Sequence, residues 1–89
     1  MTSSTTRRFR EALARLPGDV RKQAGAAYRL FRESPHHPSL RFKKVHPSEP
    51  IYSVRINDEC RAVGVLRGSG IVWFWIGKHE EYERVLRHL

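Results

Sequence analysis

With 89 residues the chain is long enough for one domain, spanning 1–89, and one modest hydrophobic core. A hydrophobic fraction of 39% excludes a disordered chain, and no run approaches the roughly 18 apolar residues that a membrane span needs. The net charge of +8 rests on 13 arginines against 4 lysines, and the planar, permanently charged arginine fork suits phosphate and carboxylate. A polyanion, either a nucleic acid or an acidic protein, is the expected partner; solubility alone is the plainer explanation of the same charge. Cys60 is the one cysteine, so no internal disulfide can form. The segment MTSSTTRRFR lacks the apolar core of a secretory signal, so a cytoplasmic protein is expected.

Residues 2–6, TSSTT, offer several helix caps and fit a frayed end or a short strand. From Arg7, the apolar residues Phe9, Ala12, Leu13 and Leu16 fall on one helical face. Pro17-Gly18 breaks that pattern and starts a second helix, which ends before Ser34-Pro35. Its stripe is Val20, Ala24, Ala27, Tyr28 and Phe31, with Arg21, Lys22, Arg29 and Arg32 outward. A helical hairpin of this kind needs an apolar surface to cover.

Four strands supply it. The first runs from Leu40 to Val45, with Leu40, Phe42 and Lys44 on one face and Arg41, Lys43 and Val45 on the other. Ile51 to Ile56 is the second, turning at Asn57-Asp58-Glu59 into the third, which carries Arg61, Val63 and Val65 opposite Ala62, Gly64 and Leu66. Gly68-Ser69-Gly70 turns into the fourth, Ile71 to Ile76, whose unbroken apolar run predicts burial on both faces. After Gly77 a terminal helix aligns Tyr82, Val85, Leu86 and Leu89, with Glu80 and Glu81 early and Arg84 and Arg87 late, as the helix dipole favours. The predicted fold is α+β, an N-terminal helical hairpin packed on a four-stranded antiparallel sheet with a C-terminal helix, in the order α-α-β-β-β-β-α. In such a meander the most apolar strand lies at an edge and must be covered. The N-terminal segment, the terminal helix or another chain can do this, and a protein partner is expected to contribute.

The ordered blocks FREALARLPGDVRKQA, HPSLRFKKV, IYSVRI…CRAVGV and IVWFWIGKHEEYERVL resemble the RelE/ParE superfamily of bacterial type II toxins, over nearly the whole chain. The resemblance implies a small basic toxin neutralised by an acidic antitoxin. It also implies a metal-independent endoribonuclease (an mRNA interferase) acting on mRNA in the ribosome, with no cofactor. The ParE branch instead inhibits DNA gyrase by protein binding, which is the alternative. A third reading is a toxin retained only as the antitoxin's partner on operator DNA. Two departures stand out: no clear first strand precedes the hairpin, and Ser53 and Arg55 stand where the RNases carry two lysines.

Metal-free RNA cleavage needs a base for the ribose 2′-hydroxyl, cations for the phosphorane-like transition state and an acid for the departing 5′-oxygen. His79 is the candidate acid or base, since histidine alone titrates near neutrality unperturbed; a surface or capping histidine is the plainer role. Arg55 and Arg61, on strands joined by a short turn, can converge on one phosphate, or can pair with Asp58, Glu59 or an antitoxin carboxylate. The family often has an arginine opening that strand, which favours Arg61. Tyr82 can orient the histidine, although it also fits the helix's core stripe. Arg41, Lys43, Lys44 and Lys78 are expected to hold the RNA backbone. His36, His37 and His46 lack a partner ligand at metal spacing and read as loop residues. Cys60 reads as a small core residue, and Trp73 and Trp75 as core rather than as base-stacking platforms.

Overall fold

In the computed structural model, which describes residues 1–89, helix α1 (Arg7–Ala14) starts where the Thr6 hydroxyl accepts the Phe9 amide at 3.1 Å. Pro17, which has no amide hydrogen to donate, separates α1 from helix α2 (Gly18–Glu33). The Arg21 guanidinium reaches back to the Leu16 carbonyl at 2.8 Å and satisfies an acceptor freed at the end of α1. The hairpin is therefore closed by its own side chains.

The strands are β1 (Thr2–Thr5), β2 (Lys43–Lys44), β3 (Ile51–Arg55), β4 (Cys60–Arg67) and β5 (Gly70–Lys78), and helix α3 (His79–Arg87) follows directly. They form one sheet in the order β1-β5-β4-β3-β2. The last three connections are antiparallel, as predicted, but the sheet has five strands rather than four. The extra one is β1, which lies parallel to β5 with Ser3 opposite Ile71 and Thr5 opposite Trp73. This strand covers the edge of β5, so the cover comes from the chain's own N-terminal segment. Ser3 is the anchor: its hydroxyl accepts the Trp73 indole N–H at 2.8 Å, and its carbonyl accepts the Tyr28 hydroxyl at 2.9 Å.

Two further expectations need correction. The strand predicted from Leu40 to Val45 shrinks to Lys43–Lys44, because Pro38–Leu40 forms a 3-10 turn and Arg41 takes a left-handed φ of 45°. That turn buries Leu40 against the hairpin instead of leaving it in a strand. Burial of β5 on both faces is only partial. Val63 pairs with Trp75 and Gly64 with Trp73, so Phe74 is an extra residue in a bulge. Phe74 and Trp75 then both join the face opposite the hairpin, where they are only half-buried.

Phe9, Ala24, Phe31 and Leu40 pack on Val54, Ala62, Ile71, Trp73 and Ile76 to form the larger core. Phe31 meets Phe42 and Trp73 edge-on at centroid distances of 5.0 and 5.2 Å. On the other face α3 covers Ile51 and Val63 with Tyr82 and Leu86. Leu89, placed on the α3 stripe by its spacing, lies past the last turn and is 46% exposed.

Replacing Ser3 with alanine leaves the buried Trp73 N–H without an acceptor. The expected loss is about 1–3 kcal/mol, read from the urea unfolding midpoint at constant m-value. An unchanged midpoint would mean that β1 adds nothing to the fold.

Candidate functional site

The reversal between β3 and β4 is built by Asn57. Its side-chain oxygen accepts the amides of Glu59 and Cys60, both at 2.8 Å, and its amide group donates to Gln23 of α2 at 2.7 Å. This turn fixes the ladder so that Arg55 lies directly opposite Arg61. Both point to the face that carries α3, since they alternate with the core residues Val54 and Ala62. Like charges in register repel, so each guanidinium needs partners. Arg55 donates to Asp58 at 2.6 Å, and Arg61 donates to the Asn57 carbonyl and, at 3.0 Å, to the Cys60 carbonyl.

The same turn places the end of β5. The His79 amide donates to the Glu59 carbonyl at 2.6 Å, which ties the first residue of α3 to the β3–β4 reversal. The His79 ring is exposed and lies 5.7 Å from the Tyr82 ring between centroids. Together Asp58, Glu59, Arg61, Lys78, His79 and Glu80 line an open polar pocket of about 430 Å³. The structure thus brings Arg61, Lys78 and His79 together, with Arg55 beside them through Asp58.

Other predicted residues lie elsewhere. Tyr82 is buried, and its hydroxyl donates to Ser53 at 3.0 Å, so it packs α3 onto the sheet. Ser53, a small polar residue inside an apolar strand, carries no sequence signal for that role. Lys43 pairs with Ser53 and so shares the face of Arg55 and Arg61. Lys44 pairs with Tyr52 on the hairpin side, which separates it from the cationic face. Arg41 is exposed, yet near enough to Asp58 for its charge to act there. The histidines 36, 37 and 46 do not converge; His37 and His46 accept amides of their own loops, and no three His, Cys, Asp or Glu side chains are grouped as a metal would require.

Two groups titrate away from their ordinary values. The Arg55 hydrogen bond, then the Arg55 charge, hold the Asp58 carboxyl below the usual range; desolvation opposes them, and Arg41 and Arg61 add to the lowering. Burial raises the Cys60 thiol, against Arg61 and a backbone hydrogen bond from Gly77. A buried, protonated thiol is a core group, in line with its reading from sequence.

The model of a family described as ParE-like toxin domain matches residues 18–84. No curated protein matches. Among solved structures, the fold is similar to a chain of the RelB–RelE antitoxin–toxin complex from Methanococcus jannaschii, with a TM-score of 0.73 at 17% identity, covering 91% of this chain and 95% of that one. It is similar to the YoeB/ParE toxin from Agrobacterium tumefaciens, with a TM-score of 0.71 at 16% identity over 89% and 99% of the two chains. The isolated E. coli RelE toxin gives 0.67 at 19% identity, over 99% and 98%. At these identities the likeness extends to the fold.

A carboxyl titration followed by NMR should place the Asp58 midpoint below the ordinary carboxylate value near 4. Arg55→Ala should return it towards that value. Because the folded value is the depressed one, the ion pair stabilises above the unfolded pKa and is lost as pH falls through the folded one. An unshifted midpoint in the parent protein would rule out the pair in solution.

Proposed function

The chain belongs to the ParE-like toxin domain family, within the RelE/ParE superfamily, and we propose that it is the toxin of a toxin–antitoxin pair and cuts mRNA on the ribosome. The observation that carries this reading is the meeting of Arg61, Lys78 and His79 in one open pocket beside Arg55. Such a site can cleave RNA without a metal. The ribose 2′-oxygen attacks the adjacent phosphorus, the P–O5′ bond breaks, and a 2′,3′-cyclic phosphate and a 5′-hydroxyl result.

His79 moves a proton in this step, and the pocket carboxylates Glu59 and Glu80 supply the complementary acid–base partner. Arg61 and Arg55 offset the charge that builds on the phosphoryl oxygens. Tyr82 fixes the helix that presents His79 and so acts as a positioning residue. Lys43, on the same face as the arginines, and Lys78, at the pocket's rim where β5 ends, hold the backbone, and Arg41 adds positive charge near Asp58. Lys44, on the other side, suits the antitoxin or the ribosome better than the cleaved strand. The net charge of +8 fits both an acidic antitoxin and a ribosomal RNA surface, and a relative of the same fold is seen in an antitoxin–toxin complex.

One observation favours the protein-binding alternative. Both arginines are engaged by groups of their own turn, as rim charges of a docking surface can be. In that case the target is gyrase and no RNA is cut.

Programmed 70S ribosomes with primer extension on the mRNA separate the two readings. Cuts in the A site are expected. His79→Ala should slow them by about 10²–10⁴-fold and Arg61→Ala by about 10²–10³-fold, with far-UV CD unchanged. Tyr82→Phe should lose about 1 kcal/mol of stability. Intact mRNA from protein that still arrests growth would sink the RNase reading and favour gyrase.

A further inference from the structure

Asp58 has no part in building the turn that holds it. Asn57 makes the turn's side-chain hydrogen bonds, and the Asp58 side chain is 93% exposed. Its one hydrogen bond is to Arg55, at 2.6 Å, on the face where Arg55 and Arg61 stand opposite each other. Arg61 is satisfied only by backbone carbonyls, so Asp58 is the single carboxylate bonded to the arginine pair. It also lines the pocket that holds Arg61, Lys78 and His79. We propose that Asp58 is a resident counter-ion: it occupies the arginine pair in the free protein, and a backbone phosphate of RNA displaces it on binding. This rests on the reading of the arginines as a phosphate site.

The chemistry supports an exchange. A carboxylate and a phosphate oxygen accept the same guanidinium donors in the same fork geometry. An exposed ion pair three residues apart is weak, so it yields to a ligand with more charge and more acceptor oxygens. While it is in place, Asp58 cancels the repulsion between the paired arginines and keeps the turn from closing on unrelated anions. The carboxylate thus sets a threshold: a phosphate must outbid it before Arg55 can engage. Lowering of the Asp58 carboxyl by Arg55, with Arg41 and Arg61 adding, agrees with its place among several cations.

Inorganic phosphate is the probe, titrated at constant low ionic strength while the arginine Nε–Hε resonances of Arg55 and Arg61 are followed. The Asp58→Asn variant should bind phosphate about tenfold more tightly than the parent, a change of ~1.4 kcal/mol. Asp58→Glu, which keeps the charge, should bind within about threefold of the parent (~0.6 kcal/mol). Equal affinity in the parent and Asp58→Asn would overturn the counter-ion role while leaving the arginines as an anion site. If phosphate moves neither resonance in any of the three proteins, the anion site itself falls and the inference with it. Cleavage on ribosomes is a separate readout, so the two failures remain distinguishable.

Discussion

The indole of Trp73 is the group around which the sheet is assembled. It is 3% exposed, and an added Cβ on Gly64 would stand 2.7 Å from its ring. Only a residue without a side chain leaves room for it opposite, which favours the observed pairing of Gly64 with Trp73. The ring then meets Phe31 of α2 edge-on and gives its N–H to Ser3 of β1. One side chain thus joins the hairpin, the central strands and the N-terminal strand. The bulge at Phe74 follows beside it, where the ladder resumes with Trp75 opposite Val63 and Gly77 opposite Arg61.

That register decides the electrostatics. A slip by one residue would turn Arg55 and Arg61 into the hairpin core and bring Val54 and Ala62 out. With the register held, two guanidiniums face each other on a sheet whose other face is sealed by helices. Their repulsion is met locally, by Asp58 for one and by turn carbonyls for the other. Asn57 supports both, since it shapes the turn that supplies those partners and also bonds to α2. Charge on one face and packing on the other are therefore coupled through the same three-residue reversal.

Much of this was legible in the sequence. Helical stripes at Phe9–Leu16 and Val20–Phe31 marked the hairpin, and the dipole-matched charges of Glu80, Glu81, Arg84 and Arg87 marked α3. The β3–β4–β5 meander followed from short turns between alternating strands. The sequence leaves the fifth strand open between a short strand and a frayed end, because Thr2–Thr5 holds no apolar residue and owes its pairing to β5 and to Trp73. The loss of the strand at Leu40–Phe42 was not legible, as it hinges on one left-handed residue, Arg41, of a type that rarely adopts it. At the site, the meeting of His79 with Arg61 followed from topology. The faces of Lys43 and Lys44 depended on a two-residue strand whose register no pattern of that length can specify.

The candidate site is divided between parts of unequal rigidity. Arg55 and Arg61 ride on paired strands in the middle of the ladder, where their backbone cannot move without breaking it. His79 belongs to a nine-residue helix that covers its face of the sheet alone. That helix is held by the His79 amide on Glu59, the Tyr82 hydroxyl on Ser53, and Leu86 with Tyr82 on the smaller core. A helix this short has little stability apart from its packing. The arginines are thus held by the ladder, whereas His79, the proposed proton-transfer group, is presented by a short helix that depends on its packing. Loosening of α3 would shift His79 relative to Arg61 and leave the arginine pair standing, so on the proposed reading phosphate binding and cleavage are separable.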